Sequence, residues 1–93
     1  MSDTFSGPVA ARMHERLAAA LAPDRLVVTN DSAKHHGHMG DDGSGESHFS
    51  VAIVSPAFAG QSRIARQRAV HAALGDLVPR IHALSISAKA PGE

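Results

Sequence analysis

The sequence contains no cysteine, so no disulfide framework can staple it and it has no thiolate of its own to offer a soft metal. It also lacks an excess of charge: nine Lys and Arg balance nine Asp and Glu. That balance removes the overall field that would draw nucleic acid or anionic lipid and leaves any such contact to a local patch. No apolar run approaches the ~20 residues of a membrane-spanning helix, and the chain does not open on a positive stretch followed by an apolar one. A soluble, cytoplasmic protein with no membrane partner is the expectation. No internal repeat is present. What the chain does have is histidine, seven in all, the side chain that titrates near neutrality and most often ligates metals.

At 93 residues and 43% hydrophobic, the chain has apolar surface for one small core and too little for two. The expected organisation is a flexible stretch over residues 1–7 and a single domain over 8–93. Pro8 sits where a first-turn proline belongs, and Val9, Met13, Leu17, Ala20 and Leu21 recur at helical spacing. Pro23-Asp24 ends this first helix. Leu26-Val27-Val28-Thr29 reads as a short strand before Asn30-Asp31. From Asp31 to Ser47 the chain holds glycines, three histidines and almost nothing apolar. That is a loop, longer than the ~2–5 residues of a plain hairpin.

The run from His48 to Ser55 alternates, with Phe49, Val51 and Ile53 on one face, and is the clearest strand. Pro56 to Gly60 is a turn. From Gln61 the apolar positions Ile64, Ala65, Val70, Ala73, Leu74, Leu77 and Val78 follow a helical period to Pro79, with Gly75 dividing a helix from a short second one. Ile81 to Ser87 alternates again as a third strand, opened by His82. The fold class predicted is α+β: a small αββααβ sandwich whose three-stranded mixed sheet carries its helices on one face. Strands one and two pair antiparallel, and strands two and three form a parallel crossover.

Strand direction then matters more than sequence distance. The end of strand one, the start of strand two and the start of a parallel strand three share one edge of the sheet. His35, His36 and His38 of the loop, His48 and His82 are therefore expected around one rim. Adjacent side chains in extended structure point opposite ways, so at most one of His35 and His36 faces a given site. His14 and His71, on helices, are assigned to packing and solvation. Imidazoles converging on that rim without a thiolate would need a partner's sulfur for soft iron or copper chemistry.

Glu46-Ser47-His48-Phe49, then Val51, Val54-Ser55, Phe58 and Gly60 through Arg66, Arg68 and Val70, and finally Ile81-His82-Ala83-Leu84-Ser85-Ile86 with Pro91 and Glu93, closely resemble the BolA family. The resemblance implies a fold similar to class II KH domains. It implies, further, a partner of a monothiol glutaredoxin in iron–sulfur cluster handling and iron homeostasis. Within that family the late histidine and one loop histidine or cysteine are taken as ligands of a bridging [2Fe-2S] cluster. Carried over, these are His82 and His35, with His38 as the alternative. The glutaredoxin cysteine and its bound glutathione would supply the thiolates, making the holo species a heterodimer. Imidazole ligation on one iron is similar to the Rieske arrangement, and protonation of the imidazoles would compete with the metal as pH falls. One departure is Gln67, where the family usually has histidine between the two arginines.

Competing readings rest on other residues. Some members of the family it resembles are described as transcription regulators, and Arg63, Arg66 and Arg68 fall close together on the second helix. A few phosphate contacts would give weak, salt-sensitive DNA binding rather than base readout. The turn Ala57-Phe58-Ala59-Gly60 lacks the Gly-x-x-Gly loop with which KH domains clamp single strands. A solvated arginine face or a glutaredoxin surface explains the same residues. The histidine-rich loop would also suit loose zinc or nickel binding. Catalysis by Glu46 and His48 with Ser47 or Ser50 is not expected, since strand neighbours point to opposite faces and no oxyanion-hole motif accompanies them.

Overall fold

Pro8 at the first helical position and Gly7 before it, at φ 88°, start α1 (Pro8–Leu21). Its fixed φ and missing donor suit proline to that position. Val9, Ala10, Met13 and Leu17 form the buried stripe of α1, whereas Ala20 is exposed because it lies off that stripe. The computed structural model describes residues 7–31 and 48–93. The expected flexible start, apart from Gly7, and the histidine loop over 32–47 lie outside the described residues.

After α1 come β1 (Arg25–Asn30), β2 (His48–Val54), a 3-10 turn (Pro56–Phe58), α2 (Arg63–Leu74), a 3-10 helix (Gly75–Arg80) and β3 (Ala83–Lys89). The sheet order is β1-β2-β3. β1 and β2 are antiparallel, with Arg25 opposite Val54 and Asn30 opposite Phe49. β2 and β3 are parallel, with His48 opposite Ala83 and Val54 opposite Lys89. The α+β architecture expected from the sequence is the one observed.

Alternation places Leu26, Val28, Phe49, Val51 and Ile53 on the covered face, where they pack with Met13 and Leu17 of α1 and Val70 and Leu74 of α2. Thr29, Ala52, Ser85 and Ser87 on the other face are exposed. Both helices thus lie on one side of the sheet. Phe58, from the 3-10 turn, and Leu77, from the 3-10 helix, complete the core. Ser55 ties the layers together: its buried hydroxyl donates to the Leu21 carbonyl at 2.6 Å and accepts from the Ala57 amide at 3.1 Å.

Three details differ from expectation. α2 begins at Arg63 rather than Gln61, because the Ser62 side chain caps it by accepting from the Ala65 amide at 3.1 Å. Ile64, counted on the apolar stripe, is 63% exposed. Six residues at about 100° each put it well round the helix from buried Val70. Finally, β3 runs over Ala83–Lys89 instead of Ile81–Ser87. The Ile81 amide is taken by the Val78 carbonyl at 3.0 Å, the last bond of the 3-10 helix, and the partner strand begins only at His48, opposite Ala83. His82 therefore precedes the strand instead of opening it.

Candidate metal centre

The rim where β1 ends and β2 begins is closed by the Asp31 amide, which donates to the His48 carbonyl at 2.7 Å. There the described chain leaves at Asp31 and re-enters at His48. Because β3 runs parallel to β2, the residue before Ala83 arrives at this rim too. The ring centres of His48 and His82 are 5.2 Å apart, with planes tilted by 56°. His48 is buried, at 7% exposure, while His82 is exposed. Beside them the Ser50 hydroxyl donates to the Asp31 carboxylate.

His82 is thus on the rim that strand order assigns to it. His35 and His38, its expected loop partners, lie outside the described residues. Two imidazoles, one open to solvent, offer nitrogen to a borderline metal, and the chain has no cysteine to add sulfur. Among the described residues no group of three or more His, Cys, Asp or Glu gathers to hold an ion. Such a donor set fits the nitrogen half of a mixed nitrogen and sulfur ligand shell.

The three arginines of α2 have different situations. Arg63 and Arg68 are exposed. Arg66, whose side chain is 14% exposed, grips the Glu93 carboxylate with both terminal guanidinium nitrogens, at 2.5 and 2.8 Å. It also donates to the Ala88 carbonyl at 3.1 Å and the Gln61 carbonyl at 3.0 Å. This fork-to-fork pairing, reinforced by the Ala90 amide at 3.0 Å, holds the Glu93 carboxyl down at about 2. A groove of about 430 Å³ runs between α2 and β3, lined by Gln61, Arg63, Arg66, Gln67 and residues 86–89.

Sequence reasoning missed two long-range ties. Glu93 is 27 positions from Arg66, and Arg16 of α1 donates to the Leu74 carbonyl at 2.9 Å and pairs with Asp76. No local pattern signals either one, since each depends on how finished elements dock. His48 carried a usable signal in its place at the head of the most regular strand.

Comparison with known proteins agrees with this topology. The family model described as BolA-like protein matches residues 17–93. An uncharacterized protein in the cobS 5' region of a Sinorhizobium species is 49% identical over 83 residues, covering 87% of this chain and 89% of that protein. Mouse BolA-like protein 1 is 44% identical over 95% of this chain, which spans 62% of that protein's length. Among solved structures, the BolA domain of SufE1 from Arabidopsis thaliana superposes with a TM-score of 0.82 at 39% identity, over 94% of this chain and 96% of that one. With its sheet order, its family model and its relatives in agreement, this chain belongs to the BolA-like protein family.

Proposed function

We propose that this protein supplies histidine ligands to a [2Fe-2S] cluster shared with a monothiol glutaredoxin, and so serves iron–sulfur cluster handling and iron homeostasis in the cytoplasm. In the heterodimer, His82 and a loop histidine, His35 or His38, would donate nitrogen. The glutaredoxin cysteine and its bound glutathione would donate sulfur. When bound, such a cluster with imidazole on one iron has a higher reduction potential than an all-thiolate one. The observation that carries this reading is the exposed His82 ring, set by a parallel strand beside the rim from which the loop departs. The chain's own part is to present imidazole nitrogen from the sheet edge and the loop and to leave sulfur to the partner.

The test is reconstitution of the full chain with a monothiol glutaredoxin, iron, sulfide and glutathione, read by visible circular dichroism and by the mass of the complex. A heterodimer with a cluster spectrum is expected for the unaltered protein. His82→Ala should abolish or reshape that spectrum. An unchanged spectrum in His82→Ala would refute the assignment.

A second reading, weak DNA contact by a transcription regulator, draws on the groove beside α2, where Arg63 and Lys89 are exposed. Arg66, the third lining cation, already has Glu93 as its counter-ion. Few cations remain for phosphates, so binding would vanish at moderate salt. Retention of DNA at moderate salt, lost in Arg63→Ala/Arg68→Ala, would favour this reading.

A further inference from the structure

We infer that His48 and His82 form a two-imidazole chelate for a divalent ion, held at one sheet edge and independent of the loop histidines. The inference goes beyond the function proposed above, in which a loop histidine is the second cluster ligand, and stands on the geometry of the pair itself. Two imidazoles on one tetrahedral metal, each nitrogen ~2.1 Å from it, have ring centres roughly 5 Å apart. The observed separation is 5.2 Å, and a tilt of 56° excludes a parallel stack of the two rings. That separation is the one a single tetrahedral ion between two imidazoles requires.

What holds them is the sheet. His48 is anchored by its carbonyl, which accepts from Asp31, by its neighbour Phe49, buried in the core, and by its register opposite Ala83. His82 precedes Ala83 directly, so the parallel ladder that aligns β3 with β2 also aligns the two imidazoles. Ligands on rigid elements keep their spacing before metal arrives, which is the condition for a precise site. Burial distinguishes their roles: His48 forms the floor, and exposed His82 the side open to an incoming group. Imidazole pairs suit zinc, copper, iron and nickel. Two protein ligands leave the remaining positions to water or another molecule.

The experiment uses the full chain with Zn²⁺ alone as the probe, read by the imidazole nitrogen resonances in NMR and by calorimetric titration. One equivalent of Zn²⁺ should shift the His48 and His82 rings together, in the unaltered protein and in a His35→Ala/His36→Ala/His38→Ala variant. His48→Ala and His82→Ala should each weaken Zn²⁺ binding at least tenfold. Should His48→Ala not fold, the resonances of the unaltered protein decide. The pair is refuted if the His48 ring stays unmoved while Zn²⁺ binds, or if the triple loop variant loses the response of both rings. If the glutaredoxin spectrum depends on His82 but the His48 ring does not respond to Zn²⁺, the chelate fails and the proposed function stands. If both rings respond but His82→Ala leaves that spectrum intact, the chelate stands and the proposed function fails.

Discussion

Ala22 closes α1 in the left-handed region, at φ 43° and ψ 57°, and its amide donates to the Ala18 carbonyl at 3.1 Å. A residue with a Cβ pays about 1–2 kcal/mol for that conformation, and glycine is the usual occupant of such a terminus. Ala22 is the one non-glycine with positive φ among the described residues. Gly75 does the same duty for α2 at φ 55° without a Cβ. Glycine also loses more chain entropy on folding, about 0.5–1 kcal/mol, so the two effects partly cancel. Ala22→Gly is expected to raise stability by about 0.5–1 kcal/mol, read as a later urea midpoint at unchanged slope. An equal or earlier midpoint would show that the neighbouring Pro23 restricts glycine as well. At this scale the sequence was partly legible: Gly75 announced a break between helices, because glycine tolerates the conformation needed there. Nothing in Ala22 announces a left-handed residue, since alanine is a helix former by propensity.

α2 and the carboxy-terminal turn are joined as elements by the Arg66–Glu93 pair. The Arg66 hydrogen bonds, followed by the Ala90 amide, lower the Glu93 carboxyl from 4.5 to about 2. A carboxyl whose folded value lies below its unfolded value stabilises the fold fully above the unfolded value. Its contribution is therefore complete above about pH 4.5 and is lost as pH falls toward about 2. Glu93→Gln should unfold at lower urea than the unaltered protein near neutrality. The two midpoints should converge on acidification through that window. Asp76 is also held below its ordinary value, by Arg16, so both proteins lose stability in acid and only their difference reports on Glu93. An offset that stays constant down to pH 2 would refute this linkage. Elements were legible in proportion to how one-sided they are. β2 alternates between core and solvent, and Phe49, Val51 and Ile53 declare it. The start of β3 was misplaced by two residues because Ile81 continues its alternation while its amide belongs to the preceding 3-10 helix. Side-chain ties such as Arg66 to Glu93 form only after α2 and β3 have docked, so no periodicity foreshadows them.

At the scale of the whole molecule, His48 opens β2 and His82 immediately precedes β3, the two are joined through all of α2, and their spacing exists only when the parallel ladder is formed. Strand order alone was enough to bring these residues to one rim from the sequence. Their ring contact required the register, which depends on where the 3-10 helix releases the chain. An ion that bridges them binds the folded state and finds no such pair in the unfolded one. Binding must then appear as stability. Free Zn²⁺ at one hundred times its dissociation constant would add about 2.7 kcal/mol, and in a domain near 100 residues each kcal/mol moves the melting temperature by about 4–8 °C. A rise of roughly 10–20 °C is expected by calorimetry, reversed by a chelator. The His35→Ala/His36→Ala/His38→Ala variant should keep most of it and His82→Ala should lose it. Phe58→Ala offers the complementary control: removing a fully buried ring lowers the melting temperature of the metal-free protein without touching the rim. Its Zn²⁺-induced rise should persist wherever the variant still folds cooperatively, because the increment depends on ligand affinity for the native sheet and not on how stable that sheet is. A rise that follows the loop histidines instead of His82 would place the ion off the strand ends and detach metal binding from the sheet register.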